Sequence, residues 1–238
     1  MTNIDSSLLI VIPAFNEELV LGKTLDVLTQ EIPSNQILVV SDGSTDKTSE
    51  IVKSRKLNLL ELPFNLGVGA AMRAGFQFAL ENNFSKVSQF DADLQHQPKY
   101  IEEISKKLDE FDVVVGSRFL NNKNYQVSFA RKVAMNLLKN SVSRHIGKTM
   151  TDVTSGFRGA NKKAINIFTE FYPSEYLADT VESLIMAHNK GLTISEIGVT
   201  MQERQGGKPS QNLLRSTFYL FRSILVIIAT LSIKPRKG

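Results

Sequence analysis

Cysteine is absent from the 238 residues, which excludes disulfides and thiolate-held metals. Histidine is scarce, with three residues, and His96 has no second imidazole paired with it, so it reads as a bystander. Acidic residues stop at Glu203: the seven basic residues beyond it carry +7, which leaves −3 for residues 1–203 of a chain whose net charge is +4. The basic character therefore belongs to the tail. Its charges are interleaved with aliphatic side chains rather than aromatic stacking platforms, so no nucleic acid is expected as a partner. A long apolar run is missing as well. The charge-free part of the tail, Ser223 to Ile233, crosses only about half of a roughly 30 Å hydrocarbon core at about 1.5 Å per residue. At the other end, Met1 to Ser7 is polar without a basic patch, and Leu8 to Ile12 is too short for a signal-peptide core, so residence in the cytoplasm is expected.

What is present describes a soluble globular protein with one sizeable core: 42% hydrophobic residues, 22% charged, and a mean hydropathy of −0.09. Apolar β-branched runs at Leu8 to Ile12, Gln36 to Val40, Leu57 to Leu62, Lys86 to Phe90 and Val113 to Val115 read as strands. Helical patterns at Glu17 to Gln30, Thr45 to Lys53, Val68 to Glu81 and Pro98 to Leu108 alternate with them. The expected class is α/β, with a mostly parallel sheet flanked by helices and ligands at the carboxyl ends of the strands. A loop over 119–127, a helix over Ser128 to Ile146 and a mixed segment over 150–203 follow. A flexible Gly-Gly-Lys-Pro loop and a terminal apolar helix from Gln211 to Ile233 complete the chain.

The strand ends carry the polar motifs. After the first strand, Pro13 is expected to stop the strand and Asn16 to cap a helix beginning at Glu17. After the second, Gly43 permits a tight turn and Asp42 projects where it can accept from a base N–H or a ribose hydroxyl; a capping turn explains Ser44 and Asp46 equally well. Gly67 and Arg73 belong to a glycine-bearing segment that opens a helix, but it lacks the lysine and serine of a P-loop and the third glycine of a dinucleotide fingerprint.

Phe90-Asp-Ala-Asp-Leu-Gln95 is the most informative stretch. In extended backbone Asp91, Asp93 and Gln95 project to one side. Two neighbouring carboxylates repel unless a cation lies between them, and hard Mg²⁺ or Mn²⁺ takes such oxygens together with those of a diphosphate. Asp91, Asp93 and Gln95 are therefore the expected metal ligands.

Taken in order, these segments resemble family 2 glycosyltransferases of the GT-A (Rossmann-like) fold, in the branch of dolichol-phosphate mannose synthase and bacterial polyprenyl-phosphate glycosyltransferases. The resemblance spans about residues 8–210, an expected catalytic domain of 1–210, and leaves 211–238 as a C-terminal helix. It implies nucleotide contacts from Pro13, Phe15, Glu17 and Asp42, and phosphate contacts near the acceptor from Arg118 and Arg131. It likens Thr154 to Arg158 and Glu182 to later family motifs, and Arg204, Lys208 and Ser210 to a mobile loop that closes over the donor. Two positions depart from the pattern. Ser41 stands where the first acid of Asp-Asp-Gly-Ser is usual, and Met135 where relatives carry a serine beside the acceptor phosphate, with Asn136 adjacent.

The expected activity is metal-dependent, inverting transfer from a nucleotide-sugar donor, UDP-glucose or UDP-N-acetylglucosamine, to a polyprenyl phosphate acceptor. A phosphate acceptor needs no general base; a sugar hydroxyl would, with Asp152 or Glu182 as candidates. Arg215 and Arg222 fall on one face of the terminal helix, so it is expected to lie at the membrane surface with its basic residues among anionic headgroups. The alternative is that it docks on a second copy of the chain or on a small membrane protein.

Overall fold

The computed structural model describes residues 4–120, 129–173 and 178–202, with side chains from 133 onward in the second stretch and from 179 onward in the third. Seven strands form one sheet: β1 (Leu8–Ala14), β2 (Ile37–Asp42), β3 (Asn58–Leu62), β4 (Lys86–Gln89), β5 (Val113–Ser117), β6 (Arg158–Asn161) and β7 (Ile194–Gly198). Among the described residues seven α-helices accompany them: α1 (Leu21–Leu28), α2 (Thr48–Ser54), α3 (Val68–Glu81), α4 (Ile101–Lys107), α5 (Phe129–Ile146), α6 (Lys162–Glu170) and α7 (Ala178–Asn189). The spatial order is β3-β2-β1-β4-β6-β5-β7. Every neighbouring pair is parallel except the two that include β6.

The sheet is covered on both faces, as near-continuous apolar strands require. Along β1, Leu9 and Val11 point into one core, with Met72 and Phe76 of α3 and Ile165 and Phe168 of α6. Leu8, Ile10 and Ile12 point into the other, with Leu21, Leu25 and Leu28 of α1 and Ile101 and Ile104 of α4. Period-two alternation thus loads both faces of a central strand.

Two local expectations fail. Pro13 does not end β1, which continues to Ala14, with Pro13 in register with Val40. The missing N–H faces the β4 side, where pairing stops at Val11 opposite Gln89, so no ladder bond is lost. Nor does Asn16 cap a helix at Glu17. Asn16 is left-handed (φ 54°), and α1 begins at Leu21 after a turn through Glu17–Val20. The mixed segment resolves into β6, α6, α7 and β7, with β6 inserted antiparallel between β4 and β5.

Candidate active site at the carboxyl ends of the strands

The turns after β1 and β2 satisfy each other's backbone. The N–H of Asn16 donates to Ser44 Oγ (3.1 Å), and the Asn16 side-chain oxygen accepts from the Thr45 N–H (2.8 Å). Glu17 N–H donates to Thr48 Oγ1 (2.9 Å), and Glu18 N–H to Asp46 Oδ2 (3.0 Å). Burial raises the Asp46 pKa, but the hydroxyl and N–H of Thr48 and the N–H of Glu18 outweigh it and hold the carboxyl below its usual range. These interlocked donors explain the late start of α1: its first turn is displaced by contacts to β2's turn. Phe15, next to Asn16, is exposed.

Asp42, at the end of β2, is 4% exposed, and its two oxygens accept from the N–H groups of Leu66 and Gly67, both at 2.8 Å. The segment before α3 is thereby pulled over the strand end. Gly43 is what lets it approach: at φ +68°, an added Cβ there would lie 2.4 Å from the Phe64 carbonyl carbon. Asp42 thus holds the loop that opens α3, and the Gly67 N–H is committed to that contact. Ser41 is buried, its hydroxyl accepting from Ser49 (3.2 Å).

Beyond β4 the chain turns at once. Asp91 to Leu94 is a turn with Leu94 left-handed (φ 59°), so the two acids are not related by an extended backbone as their spacing predicts. They are gathered instead around His96, which is fully buried and feels the charges of Asp91, Asp93 and Arg118. Its ring stacks on Phe157 (centroids 4.5 Å apart, 16° between planes) and meets Phe90 edge-on at 5.5 Å. Nδ1 accepts from the Asp91 N–H (3.1 Å), which leaves the ring proton on Nε2. Burial holds the imidazole pKa below its usual value, outweighing the two carboxylates, so the ring is neutral.

Among the described residues Nε2 makes no well-formed hydrogen bond, although Asp91 Oδ2 stands 3.3 Å away. An unmet buried donor costs about 1–3 kcal/mol. His96 thus lies against Asp91, with one nitrogen on its N–H and the other near its carboxylate. Nothing in the sequence signals this, because the contact depends on the turn at Leu94.

Asp91 has a 36% exposed side chain, and Gln89 Nε2 donates to its Oδ1 (3.1 Å). Asp93 is 8% exposed, and its Oδ1 accepts from the Gln95 N–H (3.1 Å). Gly156 lies beside Gln89 and Asp91. A Cβ there would stand 3.1 Å from Gln89 Nε2 and 3.4 and 3.5 Å from the oxygens of Asp91. The missing side chain keeps the carboxylate open to an approaching ligand. No group of three His, Cys, Asp or Glu forms a metal-holding cluster among the described residues. Carboxylate oxygens are nevertheless the hard donors that Mg²⁺ or Mn²⁺ takes beside water and phosphate oxygens, and of the two acids Asp91 is the accessible one.

The arginines have different surroundings. Arg118, just after β5, forms a bidentate pair with Asp152 (Nε to Oδ2 2.6 Å, Nη2 to Oδ1 2.8 Å), and Nη2 also reaches Thr154 Oγ1 (2.8 Å). Asp152 is 1% exposed and is placed by Glu196 of β7, which accepts from the N–H groups of Thr151 and Asp152. The two Asp152 oxygens are engaged by Arg118. Arg158 is buried, donating to the carbonyls of Val153, Ser155 and Thr180.

Arg73, expected beside the donor with Gly67, instead directs its guanidinium to the carbonyls of Thr169 (2.9 Å) and Glu170 (3.0 Å) at the end of α6. Arg131 lies in α5, but its side chain is outside the described residues, as are Arg204, Lys208, Ser210 and the helix over 211–238. In α5, Met135 is half-buried and Asn136 exposed.

Comparison with known proteins places these features. The family model for glycosyl transferase family 2 matches residues 9–169. The polyprenol monophosphomannose synthase of Mycolicibacterium smegmatis is 28% identical over 211 residues, covering 84% of this chain and 78% of that protein. The UDP-N-acetylglucosamine–dolichyl-phosphate N-acetylglucosaminyltransferase of Methanococcus voltae is 29% identical over 215 residues, covering 82% and 85%. Among solved structures, glucosyl-3-phosphoglycerate synthase from Mycobacterium tuberculosis, in complex with Mn²⁺, UDP-glucose and phosphoglyceric acid, matches with a TM-score of 0.71. It is 17% identical, covering 97% of this chain and 81% of that one, a likeness of fold alone. The mostly parallel sheet between helices is the expected GT-A arrangement.

Proposed function

The chain belongs to glycosyl transferase family 2, and from that premise we propose that it transfers a sugar from a nucleoside diphosphate donor to a polyprenyl phosphate at a membrane. The observation that carries the reading is the half-open Asp91 carboxylate beside Asp93 at the strand ends, with Gly156 clearing the space above it. The acceptor class is supported by relatives named for polyprenol and dolichyl phosphate. A uridine donor is supported by the name of the methanococcal relative, which gives UDP-N-acetylglucosamine; UDP-glucose is the other donor proposed.

In this reading Pro13, Phe15, Glu17 and Asp42 frame the nucleotide, Asp42 by holding the Leu66–Gly67 segment in place. Asp91, Asp93 and Gln95 hold the divalent cation. When bound, Mg²⁺ or Mn²⁺ supplies positive charge to the departing diphosphate. Arg118, Arg131 and Arg204 add cationic groups around donor and acceptor phosphates, and Lys208 and Ser210 complete the loop over the donor.

The acceptor phosphate, with a second pKa of about 6, is largely dianionic at neutral pH and attacks without a base. Engagement of Asp152 by Arg118 suits that requirement. Attack opposite the leaving group inverts the sugar, and the product is a lipid-linked monosaccharide for modifying cell-envelope glycans.

Among the described residues no helix is long and apolar enough to cross a membrane. The proposed attachment is the helix over 211–238, lying on the cytoplasmic face.

The test is incubation of purified protein with labelled UDP-glucose, UDP-N-acetylglucosamine and GDP-mannose, Mn²⁺ or Mg²⁺, and a short polyprenyl phosphate. Label from a UDP-sugar should enter the lipid extract only with metal and lipid phosphate present. Transfer to a saccharide without the lipid, or no transfer from any donor, would contradict the proposal.

A further inference from the structure

We infer that His96 is a positioning residue that fixes the Asp91 carboxylate for the divalent cation. The inference rests on the metal reading above and adds to it a residue with no direct contact to the ion.

The geometry is two-sided. Through Nδ1 the ring accepts from the Asp91 N–H and sets the backbone of the turn; through Nε2–H it faces the carboxylate of the same residue at 3.3 Å. The ring cannot turn away, because Phe157 stacks on it and Phe90 abuts its edge. A buried donor without a well-formed bond, 3.3 Å from a partly exposed carboxylate, is relieved by a small rotation of Asp91. That rotation leaves one oxygen on Nε2–H and turns the other toward the opening beside Gly156. Groups that orient the ligands of a metal commonly change its affinity by about 10–100-fold when replaced. A core histidine kept only for packing would need neither nitrogen aimed at Asp91.

The two nitrogens can be separated. H96N keeps an acceptor near the Nδ1 position and loses the donor; H96Q places an amide donor near Nε2; H96F keeps the stack on Phe157 and loses both. Mn²⁺ binding in the presence of UDP is read from the electron paramagnetic resonance signal of the free ion, with thermal melts to confirm folding. H96N should weaken Mn²⁺ by about 10-fold or more, H96Q should stay within roughly threefold of the parent, and H96F should match or exceed the H96N loss. In turnover, the KM for Mn²⁺ should rise in H96N with a smaller change in kcat at saturating metal. Unchanged affinity in folded H96N, or equal losses in H96N and H96Q, would overturn the positioning role. D91N separates the two levels: if it binds Mn²⁺ like the parent, the metal reading itself falls. If it loses Mn²⁺ while H96N does not, only the role of His96 falls.

Discussion

The two ends of the sheet treat their carboxylates differently. At the amino-terminal edge, Asp5 pairs with Lys86 (2.9 Å), which also pairs with Asp109 (2.6 Å). Asp112 there accepts from the N–H of Thr193 (2.7 Å), its hydroxyl (2.9 Å) and the amide of Asn161 (3.0 Å). At the carboxyl edge, Asp42 holds backbone amides, and Asp91 has a side-chain amide and an imperfectly placed neutral imidazole. One edge neutralises or saturates its acids and holds the fold; the other, among the described residues, leaves the Asp91 carboxylate short of positive charge. Unpaired negative charge on a folded edge is tolerated where a ligand supplies the missing cation.

The largest expected effect lies at the open edge. Asp93→Ala should lower turnover on the order of 10³-fold in Mg²⁺ or Mn²⁺, read in the lipid-transfer assay, while the thermal melt stays near the parent. A variant with undiminished activity would erase the distinction between the edges.

Asp152→Asn tests the buried pair on the same side. Removing the carboxylate leaves the Arg118 guanidinium buried, so denaturant unfolding should show a loss of about 3–5 kcal/mol. At the closed edge, Asp112→Ala should cost roughly 2–3 kcal/mol by orphaning the Thr193 and Asn161 donors, yet leave kcat within about twofold in the same assay.

The smallest effect is a pH dependence. Burial raises the Asp5 pKa, but Lys86 and Ser7 outweigh it and bring it to about 2. A carboxyl with a lowered folded pKa stabilises above its unfolded value and loses that stabilisation as pH falls toward the folded one. Asp5→Asn should therefore be less stable than the parent near neutrality, and the gap should close between pH 4 and about 2, followed by thermal melts.

Legibility in the sequence also divides along the chain. From β1 to β4 the strands, α3 and the polar strand ends could be read from periodicity and turn chemistry, because helices alternate with strands that all run parallel, α1 and α2 leading to adjacent strands and α3 crossing back to the far side of β1. After β5 the order is scrambled: β6 slips antiparallel between β4 and β5, a pairing that local pattern does not encode. Asp91 and Asp93 were legible as a pair, though through an extended backbone the turn at Leu94 does not provide. The partners of Arg73 were not legible from its place in a glycine-bearing helix start, because its guanidinium meets carbonyls almost a hundred residues away in sequence. His96 was invisible for the same reason, its function being set by tertiary contacts with Asp91 and Phe157.

A crystal grown with Mn²⁺ and soaked in a UDP-sugar tests the central claim most directly. The account predicts an ion in contact with the Asp91 and Asp93 carboxylates and with oxygens of the diphosphate. Density showing the nucleotide bound with no ion beside those residues, or the ion held elsewhere, would contradict it.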